Sequence, residues 1–225
     1  MKKIIGICGF IGSGKDTVAE YLVSQHGFVR ESYAEPLKDA VAAVFHWPRD
    51  WLEGKTTEQR SWREQIDPWW AQRLALPHLT PRWVLQQWGT EVCRRSFHDH
   101  IWIASMEHKM AQTTHNIVIS DCRFPNEIKS IKQQGGIVVW VQRGQLPEWY
   151  QCAAQENSTP EDEQWMLEDS QQLMHQQYPH VHASEWAWIN TEFDVVIDNN
   201  SSLDLLYKQV NDLVLDPRDA KADLT

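Results

Sequence analysis

Short apolar runs that end at glycine alternate along the chain with stretches whose apolar residues recur every three or four positions, a pattern that predicts buried strands joined by helices. Ile4 to Cys8 is the first run, β-branched at its start and closed by Gly9, as a strand covered on both faces reads. A helix follows from near Lys15, with Val18, Tyr21 and Leu22 on one stripe. Phe28 to Ser32 reads as a second strand. Glu35-Pro36 opens a second helix, the proline sitting where its missing N–H costs nothing, with Ala40, Val41, Val44 and Phe45 as the apolar side. From His46 to Leu79 tryptophan, proline and charge break the period, which predicts an inserted helical or irregular cap. Thr80-Pro81 starts a helix through Trp88 towards Arg95, and another covers His100 to Ala111. Asn116 to Ser120 and Ile137 to Val141 read as buried strands, separated by a helix that Pro125 starts and Gly135-Gly136 stops. Gln145 to Tyr178 is Gln-rich and acidic, an excursion from the sheet with a helix after Pro160. Phe193 to Ile197 is the last strand; Ser201 with Asp204 starts the final helix, which ends near Val214, and 216–225 reads as a frayed tail. The expected architecture is α/β, a mostly parallel five-stranded sheet with helices on both faces.

The length of 225 residues suits one such domain spanning 1–225, with inserts at about 46–79 and 145–181, and its core needs no disulfide or metal staple. A net charge of −10 repels polyanions, so no polymeric nucleic acid is expected as a partner, whereas a small phosphorylated ligand needs only a local cluster of cations. Cys8, Cys93, Cys122 and Cys152 form no CxxC pair, which fits a reducing cytoplasm, and no segment approaches transmembrane length. Tryptophan is the outlier, with thirteen residues. Trp47, Trp51, Trp62, Trp69 and Trp70 surround the first insert, and packing it onto its domain is favoured over stacking on a nucleobase.

The candidate chemistry begins where the first strand should hand over to the first helix, at Gly9-Phe10-Ile11-Gly12-Ser13-Gly14-Lys15-Asp16-Thr17. Glycines let successive backbone N–H groups converge on a phosphate, the helix N-terminus adds partial positive charge, and Lys15 supplies a full one. Gly12, Ser13, Gly14, Lys15, Asp16 and Thr17 are therefore the expected ATP-binding residues. Asp16 replaces the hydroxyl residue that usually follows the lysine and holds Mg²⁺; its carboxylate can serve the ion directly or through water, and Thr17 can donate to a phosphate. An acceptor that is itself a phosphate is ionised near neutral pH and asks for cations rather than a strong base, which directs attention to arginines at strand ends.

Several stretches in order resemble the bacteriophage deoxynucleoside monophosphate kinase family, within the P-loop nucleoside monophosphate kinase fold. They are Gly12 to Thr17, Tyr33 to Ala40, Leu85 to Glu91 with Arg94 and Trp102, Asp121-Cys122-Arg123-Phe124 with Glu127, the strand ending at Arg143, and His182-Ala183-Ser184-Glu185. The stretches His46 to Leu79 and Leu146 to Val181 lie outside the resemblance. It implies helical monophosphate-binding and lid inserts, ATP with Mg²⁺, and transfer of the γ-phosphate to a deoxynucleoside 5′-monophosphate for phage DNA precursor synthesis in a host cytoplasm. Small nucleotides are then the partners, no membrane is involved, and oligomeric state stays open, a homodimer included.

By the same resemblance Lys15, Arg123 and Arg143 are catalytic, and Asp16 and Asp121 serve the metal. Lys38, Arg82, Gln86, Gly89, Thr90, Arg94, Asp121, Arg123, Glu127, His182 and Glu185 serve the substrate, with Gln86 a base-edge contact. Gln145 to Tyr207 holds neither Lys nor Arg, so the arginine-bearing lid of many monophosphate kinases is missing and Arg143 is left as the transition-state cation. The alternatives are a P-loop kinase of another phosphorylated metabolite and a nucleotide-dependent switch or ATPase. Against the latter, no Asn-Lys-x-Asp motif occurs, and Cys122 stands where a motor ATPase would place a catalytic glutamate.

Overall fold

A computed structural model describes residues 2–158 and 174–215; the start of the helix expected after Pro160 and the tail expected from 216 lie outside the described residues. The chain divides into two units, the second being Ser32–Thr113 and the first the remainder.

In the first unit β1 (Ile4–Cys8), β2 (Val29–Glu31), β3 (Ile117–Ile119), β4 (Ile137–Gln142) and β5 (Val195–Asp198) form one parallel sheet in the order β2-β3-β1-β4-β5. Gly6 pairs with Ile119 on one side and Val138 on the other. Strand periodicity assigns the two faces of β1. Ile5 and Ile7 are buried with Val18, Ala19 and Leu22 of α1 (Lys15–His26) and with Leu206, Val210 and Leu213 of α9 (Leu203–Val214). Gly6 faces α7 (Pro125–Gln133) on the other side, and a Cβ there would stand 2.5 Å from Ile131 Cδ1, so the glycine is what lets this helix lie close to the sheet. Helices thus cover both faces, as the pattern predicts. In this strand order the chain leaves β1 in one direction and returns on its other side. The carboxyl ends of β1, β3 and β4, which carry the glycine loop, Asp121 and Arg143, flank that switch point, where α/β sheets form a binding crevice.

The second unit is helical. Alongside α2 (Glu35–Phe45) it contains α3 (Thr57–Arg63), α4 (Pro68–Leu74), α5 (Pro81–Gln86) and α6 (Ile101–Ala111). Thr56, Asp67 and Thr80 accept from the N–H groups of Gln59, Trp70 and Trp83 at 3.1, 3.0 and 3.1 Å, so side chains cap α3, α4 and α5. Its core joins Leu37, Val41, Phe45, Trp47, Leu52, Leu79 and Val84, with Trp62, Trp70, Trp83, Trp88 and Trp102 packed against them. Trp47 stacks on Phe45 at 4.5 Å and donates to Asp67 Oδ2 at 2.8 Å, while Trp70 donates to the Phe45 carbonyl at 3.1 Å. These indoles pack the first insert; Trp69 is exposed.

Four local expectations change. The buried stripe of α2 is Leu37, Val41 and Phe45, spaced i, i+4, i+8, which turns Ala40 and Val44 outward. The helix from Thr80 widens after Gln86 into a π-helical stretch, Gln87–Phe97. The last strand starts at Val195, two residues late, where pairing with Val139 begins, and the Phe193 ring before it packs on Trp140 at 5.4 Å. The cap of α9 is Ser202, whose Oγ accepts from Leu205 N–H at 3.4 Å, not Ser201.

Candidate active site

The loop after β1 is built by glycine. Gly9, Gly12 and Gly14 have φ of 149°, 80° and 100°, conformations that side chains rarely adopt. A Cβ on Gly9 would stand 2.6 Å from the Val141 carbonyl. Gly14 caps α1, so Lys15 and the half-buried Thr17 lie in its first turn. Lys15 Nζ donates to the carbonyls of Gly9 at 2.8 Å and Phe10 at 2.7 Å, folding the ammonium back over the loop. Burial pushes the Lys15 pKa down to about 8, and the Arg123 guanidinium adds to the fall; Asp16, Glu185 and Cys8 pull it partly back. Ser13 is buried, and its Oγ has no hydrogen-bond partner among the described residues. A cation, a helix N-terminus and an unpaired hydroxyl in one glycine loop are the parts of a phosphate cradle.

Around it stand groups from other strand ends. Arg123 Nη1 meets Glu185 Oε1 at 3.3 Å and Ser184 Oγ at 3.5 Å, and His182 Nδ1 lies 2.9 Å from Ser184 Oγ. The structure therefore brings Lys15, Arg123, His182 and Glu185 together. Glu127 is buried instead at the start of α7, where its Oε2 accepts from the N–H groups of Arg123 at 2.7 Å and Phe124 at 3.1 Å. That geometry makes it a cap that orients Arg123. Asp121 is half-buried between β3 and α7. Arg143 is exposed just past β4 and has no hydrogen-bond or ion-pair partner among the described residues.

The loop also contacts side chains that the sequence reading missed. Arg30 on β2 donates through Nε and Nη2 to Ser120 Oγ at 3.0 and 2.7 Å and forms an ion pair with Asp16. Asn199, just past β5, donates from Nδ2 to the Ser13 carbonyl at 2.8 Å. Phe10 packs its ring on Trp188 at 4.9 Å and on Trp149 at 5.5 Å. Only the polar run Asp198-Asn199-Asn200 after an apolar strand could have pointed to Asn199.

In the second unit the remaining expected residues are spread over several elements. Lys38 Nζ is bound by Glu53 Oε2 at 2.7 Å, and Glu53 also pairs with Arg49, which reaches Asp39. Burial raises the Glu53 pKa, but Lys38 and Arg49 outweigh it and hold the carboxyl at about 2. Arg82 Nε lies 3.4 Å from Glu64 Oε1, and Arg94 is buried with Nη1 3.4 Å from the Asp99 carbonyl. Gly89 and Thr90 are buried in the π-helical stretch and Gln86 is half-buried at the end of α5. A Cβ on Gly89 would stand 2.8 Å from Leu37 Cδ2, and the Gly89 carbonyl accepts from Trp102 Nε1 at 2.9 Å, so its smallness serves packing.

A protein of Acanthamoeba polyphaga mimivirus, provisionally named a deoxynucleotide monophosphate kinase, is 32% identical over 154 residues, 62% of this chain and 74% of that relative. The chain belongs to the deoxynucleoside monophosphate kinase family. The deoxynucleoside-5′-monophosphate kinase of Escherichia phage T5 is 25% identical over 182 residues, 59% of this chain and 73% of the relative. No family model matches. Shikimate kinase from Aquifex aeolicus aligns over 96% of this chain and 98% of its own at 14% identity, with a TM-score of 0.39. Dephospho-CoA kinase from Campylobacter jejuni aligns over 95% and 96% at 15% identity, with a TM-score of 0.37. Superpositions this loose carry no weight for fold or function. The protein is thus a kinase, a phosphotransferase. No described helix is long and apolar enough to cross a membrane.

Mg²⁺ takes hard oxygen ligands and keeps several waters, so a kinase needs one or two carboxylates and the substrate's phosphates rather than a protein cage. The donors here fit. Asp16 is 74% exposed, and Arg30 engages only its Oδ1; Asp121 supplies a second carboxylate at the end of β3.

Proposed function

We propose that the protein transfers the γ-phosphate of ATP to a deoxynucleoside 5′-monophosphate, giving ADP and the diphosphate. The observation that carries this reading is the Lys15 ammonium seated on the Gly9 and Phe10 carbonyls at the N-terminus of α1, within electrostatic reach of Arg123 and Glu185. The names of the viral and phage relatives support the choice of acceptor.

Lys15 follows the β- and γ-phosphates as charge moves between them, and the N–H groups of Gly12 to Thr17 hold the triphosphate. The acceptor oxygen is already ionised, so the chain supplies no general base. It supplies cations instead. Arg123 exchanges its contact with Glu185 for phosphate oxygens, and His182 and Ser184 keep that segment in place. Arg143, free of partners among the described residues, neutralises the transferring group in place of an arginine-rich lid. Asp16 and Asp121 would hold a Mg²⁺ ion or its waters, and the ion would supply charge neutralisation for the phosphates.

The acceptor side uses the second unit, with 46–79 as its cap and Lys38, Arg82, Gln86, Gly89, Thr90 and Arg94 as its residues. Lys38 and Arg82 must then share their charge with Glu53 and Glu64. Incubating the purified chain with MgATP and a panel of deoxynucleoside monophosphates, phosphomevalonate and dephospho-coenzyme A tests the assignment. Turnover of one or more deoxynucleotides, abolished by Lys15→Ala in a protein of unchanged circular dichroism, is the expected result. Turnover confined to another acceptor overturns the substrate, and unchanged turnover in Lys15→Ala overturns the mechanism.

A further inference from the structure

Asn199 holds no expected role, yet it is buried at 8% exposure just past β5 and in direct contact with the phosphate loop. Its backbone N–H donates to the Gln142 carbonyl at 2.8 Å, which anchors the residue to the end of β4. Its side-chain amide crosses to the loop, where Nδ2 donates to the Ser13 carbonyl at 2.8 Å. The approach is close enough to depend on the neighbouring glycine. A Cβ on Gly14 would stand 2.3 Å from Asn199 Nδ2, in addition to the strain of a φ of 100°.

We infer that Asn199 is a positioning residue that latches the Ser13–Gly14 peptide with the Gly14 N–H turned towards the bound phosphates. In a trans peptide the carbonyl and the following N–H point in opposite directions. Fixing the Ser13 carbonyl on the Asn199 side therefore fixes the Gly14 N–H on the other. Without the latch this peptide leads into Gly14, a residue free to adopt other φ values than its 100°, and has little else to set its orientation. Other loop contacts leave that plane alone: Ser13 N–H donates to the Phe10 carbonyl, and the Gly14 carbonyl accepts from Val18 N–H. Asn199 ties the loop to β4 and β5, so a donor for the phosphate is preorganised at no cost when nucleotide arrives. This rests on the reading of the loop as the ATP site.

The test compares the parent protein with Asn199→Leu, which keeps the branching at Cγ and removes the donor, and Asn199→Asp, which keeps the shape and puts an acceptor against the Ser13 carbonyl. The first measurement is amide exchange of Ser13 to Lys15 without nucleotide; the second is the ATP dissociation constant, alongside the KM for ATP and for the monophosphate. Expected are faster exchange confined to the loop, and a rise of about tenfold in both ATP constants, the effect of losing one hydrogen bond to a buried carbonyl. The KM for the monophosphate stays within about twofold, because a hydrogen bond on the donor side does not touch the acceptor. Equal exchange and equal ATP binding in a folded variant overturn the latch while leaving the loop's function standing. A parent chain that does not bind ATP overturns the function instead, and the exchange measurement still decides the latch. Should Asn199→Leu fail to fold, Asn199→Asp is read by the same two measurements.

Discussion

ATP binding should draw a proton from solution near pH 8. Burial and Arg123 lower the Lys15 pKa from its ordinary 10.5 to about 8. The shift means that the empty loop disfavours its own ammonium by roughly 3 kcal/mol. A triphosphate laid against Nζ supplies the missing counter-charge and returns the pKa towards 10 or above. With a pKa of about 8 in the free protein, Lys15 is about half protonated at pH 8 and about nine-tenths protonated at pH 7. Binding at pH 8 should therefore take up ~0.5 proton, falling to ~0.1 at pH 7. Calorimetric titration of MgATP in two buffers of different ionisation enthalpy reads this number directly, since MgATP is itself fully ionised at pH 8. Lys15→Arg keeps a permanent charge and should bind with no linked proton at either pH. In steady state, kcat/KM for ATP should fall about tenfold per pH unit above pH 8. For stability the sign is opposite. The unfolded chain holds more protons than the folded one between pH 8 and 10.5, so Lys15 burdens the fold fully below pH 8 and progressively less as the pH rises through that window. Absence of proton uptake at pH 8, or the same uptake in Lys15→Arg, would refute the argument.

Three further outcomes follow from the same geometry. Glu185→Gln removes a carboxylate that raises the Lys15 pKa and pairs with Arg123, so proton uptake at pH 7 should exceed the parent's ~0.1 in the same calorimetry, with kcat reduced. Glu53 has a folded pKa of about 2 against an ordinary 4.5, so its stabilisation is complete above pH 4.5 and lost as the pH falls through 2. Glu53→Gln should cost on the order of 1–3 kcal/mol at pH 7 and flatten the stability profile across that window in urea titrations. Trp47→Ala removes the ring stacked on Phe45 and the donor to Asp67, and should cost about 3–5 kcal/mol by the same assay while leaving ATP affinity unchanged.

The sheet was legible chiefly because β1, β3 and β4 are short apolar runs, β1 and β4 with glycine beside them, signals that act within a few residues. The glycine turn between β1 and α1 was legible because Gly12, Gly14 and Lys15 are neighbours in the chain and need no tertiary knowledge to read. What was missed depends on contacts between distant segments. Asn199 reaches Ser13 across 186 positions and Arg30 reaches Ser120 across 90, and neither residue type is unusual where it stands. Lys38 reads as a phosphate-facing cation, and the folded unit adds what the sequence does not show, that Glu53 pairs with both Lys38 and Arg49. The capping contact of Glu127 follows a local rule, since a glutamate just inside a helix begun by proline often caps its own N-terminus.

The ring of Phe10 lies among indoles. Because it rests edge-on against Trp149 and tilted against Trp188, any rearrangement of the loop's first turn alters the surroundings of two strong fluorophores. Nucleotide occupancy is thereby wired to an optical signal native to the chain. Comparing tryptophan emission on ATP addition between the parent chain and Trp149→Phe and Trp188→Phe variants reads that coupling without a label.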